Sequence, residues 1–209
     1  MAVEMVDMVK VCTTPKQQAR MARILGVARE AFAENAFHEV LMDDVARSAE
    51  VGKGTIYRYF PDKEHLYFAV IFDGLEGLKR HIRSALPEEV DSEALIRELV
   101  FSLVSFFREN RFFFRLMNIE DSKVGEKGSL NRRRWGQERS RLIGAIAQVL
   151  TQAGATGGIQ VVYPRTEAQI LMGMIRSVLR YNEDKLTVKQ MADEVVRIYM
   201  YGMQHGVAV

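Results

Sequence analysis

Cysteine, proline and long apolar runs are what this 209-residue chain has least of. Cys12 is its single cysteine, so no disulfide can close within the chain, and a reducing cytoplasmic compartment is the expected location. The stretch around it, residues 1–13, carries no strong pattern and reads as a partly ordered arm. The first ten residues alternate apolar and charged side chains, unlike a signal peptide. No run approaches the roughly 20 apolar residues that span a bilayer, so no membrane partner is expected.

Catalytic and metal signatures are missing as well. His38, His65, His81 and His205 are scattered, without His-x-x-x-His or Cys-x-x-Cys spacing, and the expected metal complement is none. There is no phosphate-binding glycine loop, nucleophile elbow or dinucleotide fingerprint, so neither a cofactor nor an enzymatic activity is expected. Asp43 and Asp44 are adjacent and cannot face one cleft as an acid/base pair. The formal net charge is +2, and cations and acids nearly balance between Lys16 and Lys63. A case for nucleic acid must rest on where charges sit, not on their sum.

What is present is helical. The prolines fall where helices begin or end: Pro15, Pro61, Pro87 and Pro164. No strand-like alternation of any length appears, and apolar residues recur at helical spacing. The pattern predicts an all-α chain of about nine helices. Thr14, Pro15 and Gln17 mark the start of the first as a capping box. Its apolar face is Met21, Ile24, Leu25, Ala28, Ala31 and Phe32, and Phe37 and Val40 are expected to close a small core.

The most informative stretch runs from Met42 to Pro61. Met42, Val45, Ala46 and Ala49 form a narrow apolar stripe, and Glu50-Val51-Gly52 reads as a turn in which Gly52 relaxes the entry into the next helix. That second short helix, about Lys53 to Phe60, places Ile56 and Phe60 inward. Lys53, Thr55, Tyr57, Arg58 and Tyr59 are left facing out, and Gly54 permits close backbone approach. Two cations, a threonine and two aromatic hydroxyls on one short face suit a phosphate backbone, with polar side chains reaching base edges.

Val45-Ala46, Ala49, Val51 and then Lys53 through Glu64, Lys-Gly-Thr-Ile-Tyr-Arg-Tyr-Phe-Pro-Asp-Lys-Glu, resemble the DNA-binding signature of TetR-type transcriptional regulators. The match covers roughly Lys16 to Leu66. It differs from the usual pattern at Leu41, where a Thr or Ser cap is common, at Glu50, where Gly is common, and at Gly52, where Ser is frequent. The resemblance implies a homodimer with an N-terminal DNA-binding domain and a divergent C-terminal domain that binds a small effector. The residues themselves offer Lys53, Gly54, Thr55, Tyr57, Arg58 and Tyr59 as operator contacts and Lys16 as either a backbone contact or an ordinary solvated residue, and the resemblance adds Lys63 as a phosphate contact.

On this reading residues 1–62 form the DNA-binding domain, with the helix-turn-helix at about 42–60. Residues 63–209 form the effector-binding and dimerisation domain. Helix four, from Lys63 to about Ala85, is apolar all round between Leu66 and Phe72 and must be covered on several sides. An apolar or aromatic effector is expected, with Phe72, Phe107, Arg115, Met117, Glu120 and Trp135 as candidate pocket residues. The arginines 132–134 point around their helix and read as a solvated face. The last two helices carry Leu171, Met174, Ile175, Val178, Val195, Ile198 and Tyr199 as the candidate dimer interface, by pairing into a four-helix bundle. The functional expectation is a ligand-responsive repressor binding a palindromic operator as a dimer. The alternative is a helical small-molecule or partner-binding module whose DNA binding is vestigial.

Overall fold

The computed structural model of the protein describes residues 14–85, 91–122, 128–155, 159–181 and 185–204, the last four of these as backbone alone. Among them there are nine α-helices and no strand: α1 (Pro15–Glu34), α2 (Met42–Ser48), α3 (Lys53–Tyr59), α4 (Lys63–Ala85), α5 (Ser92–Glu109), α6 (Arg111–Asp121), α7 (Leu130–Ala155), α8 (Pro164–Tyr181) and α9 (Val188–Gln204). Cys12, Pro87 and His205 lie outside the described residues.

The helix starts are built as the sequence indicates. The Thr14 hydroxyl accepts from the Gln17 amide, and the Gln17 side chain accepts from the Thr14 amide at 3.0 Å. Thr187 and Gln190 repeat the device ahead of α9, with Thr187 N–H donating to Gln190 Oε1 at 2.9 Å. Asp91, and not Ser92, caps α5 by accepting from the Ala94 amide at 2.8 Å. Ser92 instead buries its hydroxyl and donates to the Ala153 carbonyl at 2.7 Å.

The described residues fall into two compact units, and α4, α6 and α7 each contribute to both. The first unit comprises the described residues up to Leu75 with those of Arg115–Trp135. Its core is Ile24, Leu25, Ala28 and Phe32 of α1, Met42, Val45 and Ala46 of α2, Ile56 of α3, and every residue from Leu66 to Phe72. A helix buried on all sides needs an apolar run of this kind. Val40 is buried as expected, whereas Phe37 is 43% exposed. The Phe37 ring sits at the side of the core, edge-on to Tyr67 at 5.2 Å.

Arg133 is exposed as expected of a solvated face, but Arg132 and Arg134 correct that expectation. Arg132 Nε lies 3.5 Å from Glu120, and the Arg134 guanidinium covers the Phe72 ring at 5.2 Å. Their long stems pack while their charged ends find partners.

In the second unit α5 packs on α8 and α9, which also pack on each other. Phe106, Phe107 and Phe113 form an aromatic cluster with centroids 6.1–6.2 Å apart. Lys79 bridges Glu138 at 2.8 Å, and Arg141 reaches the same carboxylate at 2.5 Å. Burial pushes the Glu138 carboxyl up, but hydrogen bonding and charge from Lys79 and Arg141 win and hold it below the ordinary glutamate range.

Candidate nucleic-acid interface

The site begins at the end of α2. Glu50 has φ 51°, a left-handed conformation unusual for a residue with a Cβ. Its amide donates to the Arg47 carbonyl at 3.0 Å, and the Val51 amide reaches back to the Ala46 carbonyl at 2.9 Å. This pair of bonds is a Schellman motif, which stops a helix and re-aims the chain in two residues. The left-handed position is therefore Glu50 and not Gly52. Gly52 has φ −66° and ψ 149°, extended backbone open to any residue, which corrects the role expected for it. Glu50 recovers something through an ion pair with Arg23 at 3.3 Å, exposed to solvent. Substituting Glu50→Gly removes the left-handed strain and is expected to raise stability by about 0.5–1 kcal/mol after the added entropy of the unfolded glycine. A thermal melt checks it, and a lower melting temperature would show that the Arg23 pair outweighs the backbone.

The Gly52 carbonyl accepts from the Thr55 and Ile56 amides and so starts α3. Ile56, Tyr59 and Phe60, at i, i+3 and i+4, form the inward face. Here the structure corrects the expected contact set. Tyr59 is 4% exposed and belongs to the core, with the Arg58 guanidinium stacked 5.5 Å above its ring. Its position three residues after Ile56 sends it inward, and only its hydroxyl made it look like a surface residue.

The outward face holds Lys53, Gly54, Tyr57 and Arg58, with Thr55 half-buried beside them. Lys53 is not idle: its ammonium donates to Asp43 of α2 at 2.7 Å. That hydrogen bond, and then the Asp43 charge, raise the Lys53 pKa, so it stays a cation. A Cβ built on Gly54 meets no atom within 4 Å. Packing thus gives no reason for glycine in a seven-residue helix, where it costs about 1 kcal/mol against alanine. Lys16 is exposed in the first turn of α1.

Lys63 opens α4, donates to the His38 carbonyl at 3.0 Å and sits 4.8 Å from the Phe37 ring centroid. It therefore ties down the segment between α1 and α2. Asp62 caps α4 by accepting from the His65 amide at 2.9 Å and faces the His65 ring at 2.8 Å. Burial opposes ionisation of Asp62, but the His65 bonds outweigh it and lower the carboxyl's pKa.

The family model for bacterial regulatory proteins of the tetR family matches residues 24–70, from the middle of α1 into α4. This segment resembles the N-terminal DNA-binding domain of the tetR family. The chain is 30% identical over 98 residues to the HTH-type transcriptional activator FasR of Mycolicibacterium smegmatis, covering 47% of this chain and 45% of FasR. It is 34% identical over 92 residues to the HTH-type transcriptional regulator UidR of Escherichia coli K12, covering 44% and 45% of the two chains. The chain thus spans about half the length of these curated relatives. The fold is similar to that of AibR solved with isovaleryl coenzyme A and operator DNA, with a TM-score of 0.69 at 18% identity over 86% of this chain and 97% of AibR. The all-helical fold of the described residues is that of solved proteins of the tetR family, and the matched segment is one found in regulatory proteins.

The remaining candidates divide between the units. Arg115 and Glu120 both line one cavity in the first unit. Phe72, Met117 and Trp135 are buried in that unit's core, and Phe107 is buried in the second unit. On α8 and α9, Leu171, Ile175, Val195 and Tyr199 are buried within the chain, Met174 and Val178 are half-buried, and Ile198 is 49% exposed. Among the described residues no helix is long and apolar enough to cross a membrane.

Sequence reasoning missed the partners more than the residues. Asp43 clamps Lys53 from ten positions away, and Arg23 meets Glu50 across 27 positions. Such pairs follow from the fold and leave no local pattern. If Asp43 competes with phosphate for Lys53, Asp43→Asn is expected to tighten operator binding roughly 3- to 10-fold, by freeing the cation and removing a like charge. Fluorescence anisotropy on labelled operator reads this directly. Unchanged or weaker binding would show that the clamp presents Lys53 correctly instead of restraining it.

Proposed function

We propose that the chain is a cytoplasmic, ligand-responsive transcriptional repressor that binds a palindromic operator as a homodimer and is released by a small apolar effector. The observation that carries this is the outward face of α3: two cations and a tyrosine around a glycine that packing does not require, on a helix anchored by Ile56, Tyr59 and Phe60. In this reading Gly54 lets the α3 backbone close on the major groove. Lys53, Thr55, Tyr57 and Arg58 reach base edges and phosphates, while Lys16 and Lys63 add backbone contacts. The likeness in fold to AibR, whose structure holds both isovaleryl coenzyme A and operator DNA, supports a regulator with separate sites for an effector and an operator.

In the dimer, α8 and α9 supply the contact, with Ile198, Met174 and Val178 toward the second copy and Leu171, Ile175, Val195 and Tyr199 backing them. Two α3 helices then enter successive major grooves about 34–36 Å apart. An effector acts only through unequal affinity for the DNA-binding and non-binding arrangements. Footprinting over the intergenic DNA beside the chain's own gene tests the proposal. Protection of two symmetric half-sites about one helical turn apart is the expected result. Uniform, sequence-independent protection would favour a helical ligand-binding module with vestigial DNA binding.

A further inference from the structure

The charges around the first unit's cavity of about 850 Å³ have both signs, Glu34, Glu64 and Glu120 against Arg115 and Arg132. Arg115 is also committed to α1, where its guanidinium donates to the Phe32 carbonyl at 3.1 Å and to the Ala33 carbonyl. That wall selects no charge in a ligand. The second unit holds a cavity of a different kind, about 450 Å³, between the last two turns of α4 and the middle of α7. Its size is within the roughly 300–1,000 Å³ of small-molecule sites.

The wall follows from helical spacing. Leu142, Ala145, Ile146 and Val149 recur at i, i+3, i+4 and i+7 along α7, and Ile82 of α4 completes the apolar lining. Leu142 and Ile146 are buried, Ile82 and Val149 are half-buried, and Ala145 is exposed at the rim. No aromatic ring lines this cavity among the described residues. Aliphatic side chains along two helices offer dispersion contacts to a flexible chain, and no flat face on which a ring system could stack.

The polar lining consists of Lys79, Arg83, Arg141, Gln148 and Gln152, with no carboxylate among the described residues. Two of the three cations are matched by acids just outside it. Lys79 bridges Glu76 and Glu138, each at 2.8 Å, and Arg141 meets Glu138 at 2.5 Å. Burial works against the Lys79 charge, but these hydrogen bonds outweigh it and raise the Lys79 pKa, so the cluster stays ionised with two positive and two negative groups. Arg83 is the surplus. It is exposed, and among the described residues its one hydrogen bond runs from Nε to the Lys79 carbonyl at 3.2 Å, within its own helix. That bond holds the guanidinium along α4 and leaves both Nη groups for another acceptor.

We propose that this cavity binds an aliphatic molecule with one anionic head group, its chain along α7 and its head on Arg83. A guanidinium pairs a carboxylate through two parallel N–H bonds, and the lining sets no carboxylate against it. Chain and head address different helices, so the bound molecule ties the end of α4 to α7. The site stands on its own geometry. Its use as the effector site, lowering operator affinity about 5- to 150-fold, rests on the function proposed above.

Calorimetry on the full-length chain tests the site with octanoate, octanol and octylamine, each below its solubility and micelle limits. Octanoate should bind at least about tenfold tighter than either analogue. Arg83→Gln should remove that preference, weakening octanoate about tenfold and leaving octanol unchanged, and Arg83→Lys should restore part of it through charge alone. Ala145→Trp, which fills the cavity from its rim, should weaken octanoate and octanol alike, with an unchanged melting temperature showing that the fold is kept. No octanoate binding, a preference for octylamine, or octanoate affinity unchanged in Arg83→Gln or in Ala145→Trp would overturn the site. Operator binding by the unliganded chain is scored separately. Its absence contradicts the proposed function and leaves a positive octanoate result standing, while failure of octanoate in an operator-binding protein removes the cavity proposal alone.

Discussion

Gly54→Glu should lower operator affinity by at least about 100-fold, close to 2.7 kcal/mol, while the domain stays folded. A Cβ at position 54 meets no atom within 4 Å, so the backbone of α3 accepts a side chain there. Glutamate is a far better helix former than glycine, and a carboxylate in the first turn complements the helix dipole. The free protein should therefore melt at the same temperature or higher. In the proposed operator complex the same side chain would stand where the α3 backbone meets the groove and set a negative charge against phosphates. Anisotropy and a thermal melt on one preparation check both halves. Operator affinity within threefold of the parent would mean that Gly54 does not face DNA.

Phe60→Ala should cost about 3–5 kcal/mol, the largest stability loss expected in the first unit. Phe60 is fully buried and follows α3 directly, with its amide donating to the Ile56 carbonyl at 2.8 Å. Its φ of −128° and ψ of 107° are extended, as the following Pro61 requires. One residue thus ends the helix, turns the chain and fills the core. Truncation leaves a cavity that the short α2 and α3 cannot collapse around without moving. Urea denaturation measures the loss, and hydrogen exchange should show α2 and α3 opening first. A loss below about 1 kcal/mol would mean that these helices are held chiefly by something other than this ring.

Much of this architecture was legible because it is local. Thr14, Pro15 and Gln17 announce α1, Thr187 and Gln190 announce α9, and the unbroken apolar run from Leu66 to Phe72 is buried throughout. The candidate site was legible in outline only. Lys53, Gly54, Tyr57 and Arg58 take the outward face, but Tyr59 does not, because inward direction on so short a helix is decided by its spacing from Ile56 and not by its hydroxyl. The role given to Gly52 within the turn was wrong for a related reason. Glycine signals a left-handed backbone statistically, yet here Glu50 bears the strain and Gly52 is extended. Arg115 was a plausible ligand anchor from its setting among aromatics. Its hold on α1 joins residues more than eighty positions apart, and only folding brings them together.

The central claim is that the outward face of α3 reads operator DNA. Its most direct test is the affinity of purified protein for the intergenic DNA beside its own gene, titrated from 50 to 200 mM salt against a random duplex of equal length. The account predicts selective binding that falls by about 10³-fold or more over that range, as release of counterions from six or more phosphates requires. Weak binding that does not discriminate between the two duplexes and hardly changes with salt would contradict it.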